Sequence, residues 1–543
     1  MRGRCASTGS GTVRRGRLLA LALTLPLVLA GCRGEPPATA PAPGAAGPAG
    51  SAGATATADA SALQETDCWF GNEGANPARC AWLRPGVQDS TGSTRLPVVV
   101  LRELPKQASE LAVIHLTGGP GMGSGLDADG LRHARMWRAS LGLRQDLVLY
   151  DQRGSGRAEP SLACAGFEPA IRDALAGDGG YGERMDRWFA FLVECALRVP
   201  EADRAGGLYG TATAGADLAE LMAALQATHG YRGFLLFGES YGTRLAIEAL
   251  RAAPALPVER MVLDSVYPPG SSGHVMLLPE QVDRLLAELD AHCRARGACL
   301  HAAAGIGAPL RRALDHVADA PLDVSATDYG GGRANIRMRL EPRDLFDLVV
   351  VALYGHEHID ELPQMLDALV EQGPDLRWQI LFDMAATLWL DPQFSLVAHN
   401  LVGCRDNLPL PAAKLAKQSA AWPAFRDVLE PLAGQESLCR RIGVPPAPLA
   451  TDWTIEVPTL LLSRAIDPAT PLAEVRAVQD RFQVAELVVV PGIGHGATFA
   501  DPELAARVGR FLNGDPDPPR PAPGPAPKPV PEGGHCPAPA FSA

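Results

Sequence analysis

Ser240 stands in the stretch FGESYGTRLA, with Gly238 and Gly242 two residues away on either side. A serine hydroxyl is a poor nucleophile until a neighbouring base takes its proton. The loose spacing G-x-S-x-G therefore acquires meaning only where a buried strand leads into it and a helix leads out. Both are present: GFLLFG, residues 233–238, is a short apolar run suited to a strand buried on both faces, and YGTRLAIEALRAA carries its apolar residues at helical spacing. The two glycines let the turn close without side-chain collision and leave the hydroxyl exposed at a helix N-terminus. The amide of Tyr241, at that same terminus, can face a developing negative charge.

A base and an acid must accompany the serine. Asp467, in SRAIDPATP, follows the predicted strand VPTLLLS, and His495, in PGIGHGATF, follows the predicted strand AELVVVP. Serine, acid and histidine in that chain order, the last two each in a loop after a strand, match the order known for α/β-hydrolases. His495 would act as general base and then general acid, while Asp467 fixes the imidazole tautomer and stabilises the imidazolium.

The elements that must position these groups follow from the hydrophobic pattern. LPVVVLREL, LAVIHL, DLVLYD and VERMVLD read as strands, GLRHARMWRASLG and PLAEVRAVQDRF as helices, and TAGADLAELMAALQATHG as a strongly amphipathic helix leading to the Ser240 strand. Such β–α alternation predicts a mostly parallel sheet with helices on both faces, an α/β fold.

Three segments then carry a resemblance. LTGGPGMGSG (Leu116 to Gly125), LYDQRGSGRAEP (Leu149 to Pro160) and GESYGT resemble the α/β-hydrolase peptidases of the prolyl aminopeptidase and tripeptidyl aminopeptidase group. The similarity runs from about Cys68 to Asn513. It is closer to the tripeptidyl type in length, in the export signal described below, in Tyr241 and in LVGCRDN with its Cys404. The resemblance implies that the loop Gly118 to Gly121 supplies an oxyanion amide, assigned to Gly119, beside that of Tyr241. Asp151 to Gly156 would shape the same face. Thr117 stands where the family often has histidine, with His115 two residues earlier. The resemblance also implies a helical cap, placed at 269–403 between core segments 66–268 and 404–513, that restricts access to short peptides. An aminopeptidase must hold a free α-ammonium, for which a carboxylate is the natural partner; Glu239 and Asp406 are the acids named for it. The implied activity is that of an exported serine aminopeptidase acting near the N-termini of short peptides. A carboxylesterase or lipase on the same fold, and a non-catalytic binding lipoprotein, are the alternatives.

Composition bounds the rest. The 543 residues are 47 % hydrophobic and 20 % charged, with a net charge of −12, which argues against nucleic acid as a partner. Arg14, Arg15 and Arg17 precede LLALALTLPLVLA, an apolar run short for a membrane span and ending in small residues, so residues 1–32 read as an export signal. Leu29 to Cys32 resembles a bacterial lipobox, in which Cys32 would carry lipid; an ordinary secretion signal is the alternative. Residues 33–65 read as a flexible linker and 514–543 as a Pro-rich disordered tail. The expected address is a periplasm-facing lipoprotein of the outer membrane, because Arg33 and Gly34 include no aspartate of the inner-membrane kind. Export makes the cysteines disulfide candidates: the simplest pairing is Cys68–Cys80, Cys164–Cys195, Cys293–Cys299 and Cys404–Cys439, with Cys536 left over. His292, Cys293, Cys299 and His301 could be drawn as a metal site, but in an exported chain the disulfide is favoured, and HEH at His356 to His358 is too short for one. No metal or other cofactor is expected, and the oligomeric state stays open.

Overall fold

A computed structural model describes residues 62–71, 78–102, 110–271, 279–296, 305–355, 358–407 and 434–516, with two short pieces at 416–417 and 420. The signal, the lipobox Cys32, most of the linker and of the tail, Cys299, Cys536, His301, His356 and the side chain of Cys293 lie outside these residues.

A nine-stranded sheet organises the chain. Its strands are β1 (Leu63–Thr66), β2 (Ala78–Leu83), β3 (Leu96–Leu101), β4 (Leu111–Leu116), β5 (Asp146–Tyr150), β6 (Gly233–Glu239), β7 (Val258–Asp264), β10 (Thr459–Ile466) and β11 (Ala485–Ile493), in the order β1-β2-β3-β5-β4-β6-β7-β10-β11. The first three are antiparallel to their neighbours, and the six from β5 to β11 run parallel. The linker expected over 33–65 therefore ends earlier, since Leu63, Gln64 and Glu65 pair with β2 in the sheet. Parallel strands need covering on both faces, which explains unbroken apolar runs such as GFLLFG, buried throughout in β6. On one face α5 (Thr211–His229) and α6 (Tyr241–Ala252) bury Leu218, Leu221, Leu245 and Ile247 against the sheet. On the other, α1 (Ala128–Leu141) and α15 (Pro502–Asn513) bury Leu131, Leu141, Leu504 and Val508. β5 and β6 flank β4 on opposite sides, so the strand order reverses at β4. Crevices in α/β proteins open at such a reversal, beyond the carboxyl ends of the strands.

A second layer contains α7 (Pro279–Arg296), α8 (Gly307–Asp319), the hairpin β8 (Leu322–Asp328) and β9 (Arg333–Leu340), α9 (Pro342–Leu353), α10 (Leu362–Glu371), α11 (Leu376–Trp389), α12 (Leu396–Asp406) and α13 (Gly434–Arg441). It departs from the sequence expectation in three ways. The cap is not wholly helical, because β8 and β9 pair antiparallel within it. Nor does it come from one insertion: α2 (Phe167–Ala176) and α3 (Tyr181–Leu197), which precede the Ser240 strand, share its core, with Trp188 and Leu192 packed in one cluster with Leu348, Trp378 and Phe382. Arg184 of α3 pairs with Asp344 of α9 at 2.7 Å, tying the two segments together. Finally, α12 runs through the boundary expected at 403.

The expectation for α5 also needs correction. This helix does not present one apolar stripe: Thr211, Gly215 and Asp217 are buried beside its leucines. Asp217 takes a bidentate bond from Arg153 at 2.6 Å on both arms, and Gly215 allows close approach of α6, where a Cβ would stand 3.3 Å from Ala249 Cα. Three of the expected disulfides are present, Cys68–Cys80, Cys164–Cys195 and Cys404–Cys439.

Candidate active site

Three strand ends converge on Ser240. The serine lies between β6 and α6 with φ 52° and ψ −117°, a backbone conformation that a non-glycine residue keeps only where its surroundings hold it. Its amide donates to the Asp264 carbonyl at the end of β7 at 2.9 Å. The reason for both flanking glycines is close packing: a Cβ on Gly242 would collide with the Leu116 carbonyl of β4, and one on Gly238 would stand 2.9 Å from the Gly242 carbonyl group. The sharp turn of the sequence reading is thus present, and no side chain fits at either position.

Asp467 and His495 occupy the loops after β10 and β11. His495 Nδ1 lies 3.0 Å from each carboxylate oxygen of Asp467. The other lone pairs of Asp467 are taken by the amides of Ala469 and Thr470, both at 2.8 Å, and by the Thr470 hydroxyl at 2.9 Å. Asp467 is wholly buried and His495 nearly so. Burial alone would push the imidazole down, but the Asp467 carboxylate outweighs it and holds the ring above its ordinary value, with smaller contributions from Asp264 and Glu239. Asp467 is held low in turn: burial opposes ionisation, yet the His495 charge and the donated hydrogen bonds prevail.

The histidine loop is fastened to the strand beside the serine. The carboxylate of Asp264 accepts from the amides of Ala497 and Thr498 and from the Thr498 hydroxyl, and Ser265 Oγ accepts from the Gly496 amide at 2.9 Å. Asp264 therefore grips the loop by its backbone while Asp467 takes the imidazole. The second layer adds Tyr354, at the end of α9, whose carbonyl accepts from the His495 amide at 3.1 Å and whose ring packs edge-on to the imidazole at 5.3 Å. Among the described residues no hydrogen bond joins Ser240 Oγ to His495; contacts of this kind commonly tighten only once a ligand is bound.

The loop after β4 borders the serine from the other side. A Cβ on Gly118 would stand 3.3 Å from Ser240 Cβ, so the loop lies directly against Ser240. Among the described residues no protein acceptor takes the amides of Gly119 or Tyr241, which leaves both available to an oxyanion. Thr117 closes the loop from within by donating to the Met122 carbonyl at 3.2 Å. The neighbouring Asp-Gln-Arg-Gly segment braces the loop: Asp151 accepts from the Ser124 amide at 2.6 Å and the Arg157 amide at 2.8 Å.

The two acids named for an ammonium ion are placed otherwise than as free acceptors. Asp406 is 2 % exposed and caps α5, accepting from the amide of Thr211 at 2.7 Å and from its hydroxyl. Glu239 lies 3.4 Å from His115 Nε2, and His115 is packed in turn by Trp137 and Phe237. Asp264, Ser265, Tyr354 and the close approach of Gly118 escaped the sequence reading. Only Asp264 carried a signal, as an acid ending a buried strand next to the serine strand. No group of histidine, cysteine or carboxylate side chains suited to a metal occurs among the described residues.

A family model described as alpha/beta hydrolase fold matches residues 112–296, and one described as TAP-like protein matches residues 430–519. No curated protein matches the sequence significantly. Solved structures similar to the chain include an alpha/beta hydrolase fold protein from Chitinophaga pinensis, 14% identical, covering 82% of this chain and 99% of that one with a TM-score of 0.37. A thermophilic esterase from Thermogutta terrifontis is 13% identical, covering 80% and 96% with a TM-score of 0.32. The proline iminopeptidase of Mycobacterium smegmatis is 17% identical, covering 79% and 97% with a TM-score of 0.31.

Proposed function

We propose that this chain, which has the α/β-hydrolase fold, is a serine hydrolase of peptidase type that cleaves near the free N-terminus of short peptides. The observation that carries the reading is the Asp467–His495 pair, hung by Asp264 and Ser265 on the same strand ends as Ser240. In this mechanism His495 Nε2 takes the Ser240 proton as Oγ attacks the scissile carbonyl. The amides of Gly119 and Tyr241 receive the oxyanion, and collapse of the intermediate passes the proton to the leaving amine. Water then hydrolyses the acyl-enzyme by the same route. The match to a TAP-like model over the segment holding both Asp467 and His495 favours a peptidase over an esterase.

A panel of tripeptidyl and aminoacyl nitroanilides, each with a free and an acetylated N-terminus, beside plain nitrophenyl esters, tests the reading. Turnover of the free-amine anilides, at least about tenfold above their acetylated forms, is expected from an ionic contact to the ammonium. Turnover of esters alone would replace the peptidase reading with an esterase.

We also propose that the enzyme is a lipoprotein held by Cys32, so that wild type sediments with membranes while Cys32→Ala does not. Equal solubility of the two forms would reduce residues 1–32 to a plain secretion signal.

A further inference from the structure

The Gly-Gly-Pro-Gly loop is held from above by the chain entering α12. Met122 and Phe394 form an antiparallel bridge, flanked by hydrogen bonds from the Gly123 amide to the Gln393 carbonyl at 2.9 Å and from the Ser395 amide to the Gly121 carbonyl at 2.8 Å. The approach is so close that a Cβ on Gly121 would stand 2.5 Å from the Ser395 carbonyl oxygen and 3.1 Å from the His399 nitrogen. One turn into α12, His399 Nδ1 lies 3.1 Å from the Pro120 carbonyl oxygen. A carbonyl oxygen only accepts, so Nδ1 carries the ring proton and Nε2 is left with a lone pair. Burial pushes the ring down to about 4, the Pro120 carbonyl opposing in part, so it is neutral at neutral pH. The ring packs on Phe394 at 5.4 Å and is half-buried, and among the described residues nothing donates to Nε2. The site therefore presents an unused acceptor next to the loop that lies against Ser240.

We propose that His399 is a substrate-binding residue whose Nε2 accepts a hydrogen bond from a peptide N–H of the substrate. Its tautomer is fixed by the loop it supports, so it selects a donor: an N–H fits, whereas an ester or ether oxygen would face the lone pair. The assignment rests on Ser240 being the reactive centre, and it extends the peptidase reading by naming a group that favours amide-bearing acyl chains.

Two nitrophenyl esters test it without requiring amide cleavage: the N-acetylalanyl ester, and the 2-methyl-4-oxopentanoyl ester in which CH2 replaces the N–H. Wild type is expected to prefer the first by about three- to tenfold in kcat/KM, the range of one hydrogen bond. His399→Asn retains a donor for the Pro120 carbonyl and deletes the distal acceptor. It should abolish the preference through a raised KM for the N–H ester. His399→Gln, which can place an oxygen near the Nε2 position, should restore part of it. No preference in wild type, a preference unchanged in His399→Asn, or an equal loss of kcat on both esters would overturn the assignment, the last leaving His399 as support for the loop alone. If the anilide panel fails while both esters turn over, the peptidase reading falls and the ester pair still decides the role of His399. If wild type turns over neither ester, the role assigned to His399 falls, and the anilide panel alone decides the peptidase reading.

Discussion

Ser240→Ala should lose about 10^4- to 10^6-fold in kcat on any substrate of the wild type while remaining folded, the scale on which other serine hydrolases lose rate when the nucleophile is removed. Folding survives because the turn is held by contacts that do not involve the hydroxyl: the amide bond to Asp264, the packing of Gly238 and Gly242, and the bond from Thr243 Oγ1 to the Ser240 carbonyl at 2.6 Å. Alanine keeps the positive φ and the strain that goes with it. Ser240→Gly is the companion measurement, equally inactive but relieved of that strain, and its unfolding free energy should exceed that of Ser240→Ala by about 1 kcal/mol in denaturant titration. Near-normal turnover by Ser240→Ala would remove the serine from the mechanism, whatever the stabilities.

The second large effect is expected for Asp467→Asn, about 10^4-fold in kcat, because the amide would bond the wrong imidazole tautomer and leave Nε2 protonated and unable to act as base. A pH profile adds a check independent of the size of the loss. The free enzyme needs neutral His495, so kcat/KM falls as pH drops through the imidazole pKa. Asp467 holds that pKa above its ordinary value against burial, which acts the other way. Without the carboxylate burial prevails, and the acid limb of the residual activity should move to lower pH. A limb that stays in place would mean that another acid, with Asp264 the first candidate, sets the charge on His495.

The sequence disclosed the site better than the layer above it, for physical reasons. Around Ser240 local and global requirements coincide, since a buried strand, two glycines and a helix N-terminus are needed by the turn itself. Asp467 and His495 could be found because each follows a run such as TLLLS or ELVVV that only a strand of this sheet explains. The second layer offered no such coincidence. An amphipathic helix records that one face is buried, not what buries it. The helices α2 and α3 therefore fell within the core segment 66–268, although their Ile171, Trp188 and Leu192 face the helices of the cap. The hairpin was more nearly visible: LDVSATD alternates, and Val324 and Ala326 do point to one side. The roles of Asp406 and Glu239 were beyond the sequence altogether, because an acid that caps a helix and one that binds an ammonium are the same letter.

The three disulfides each join cysteines that follow one another along the chain, 12, 31 and 35 residues apart. If the chain is exported amino end first, as proposed above, this ordering has a practical result. In each of these three pairs the second cysteine is the next along the chain after the first, so oxidation in order of emergence favours these pairings directly. The enzyme should then mature with a thiol oxidant alone, without a catalyst that reshuffles mispaired bridges.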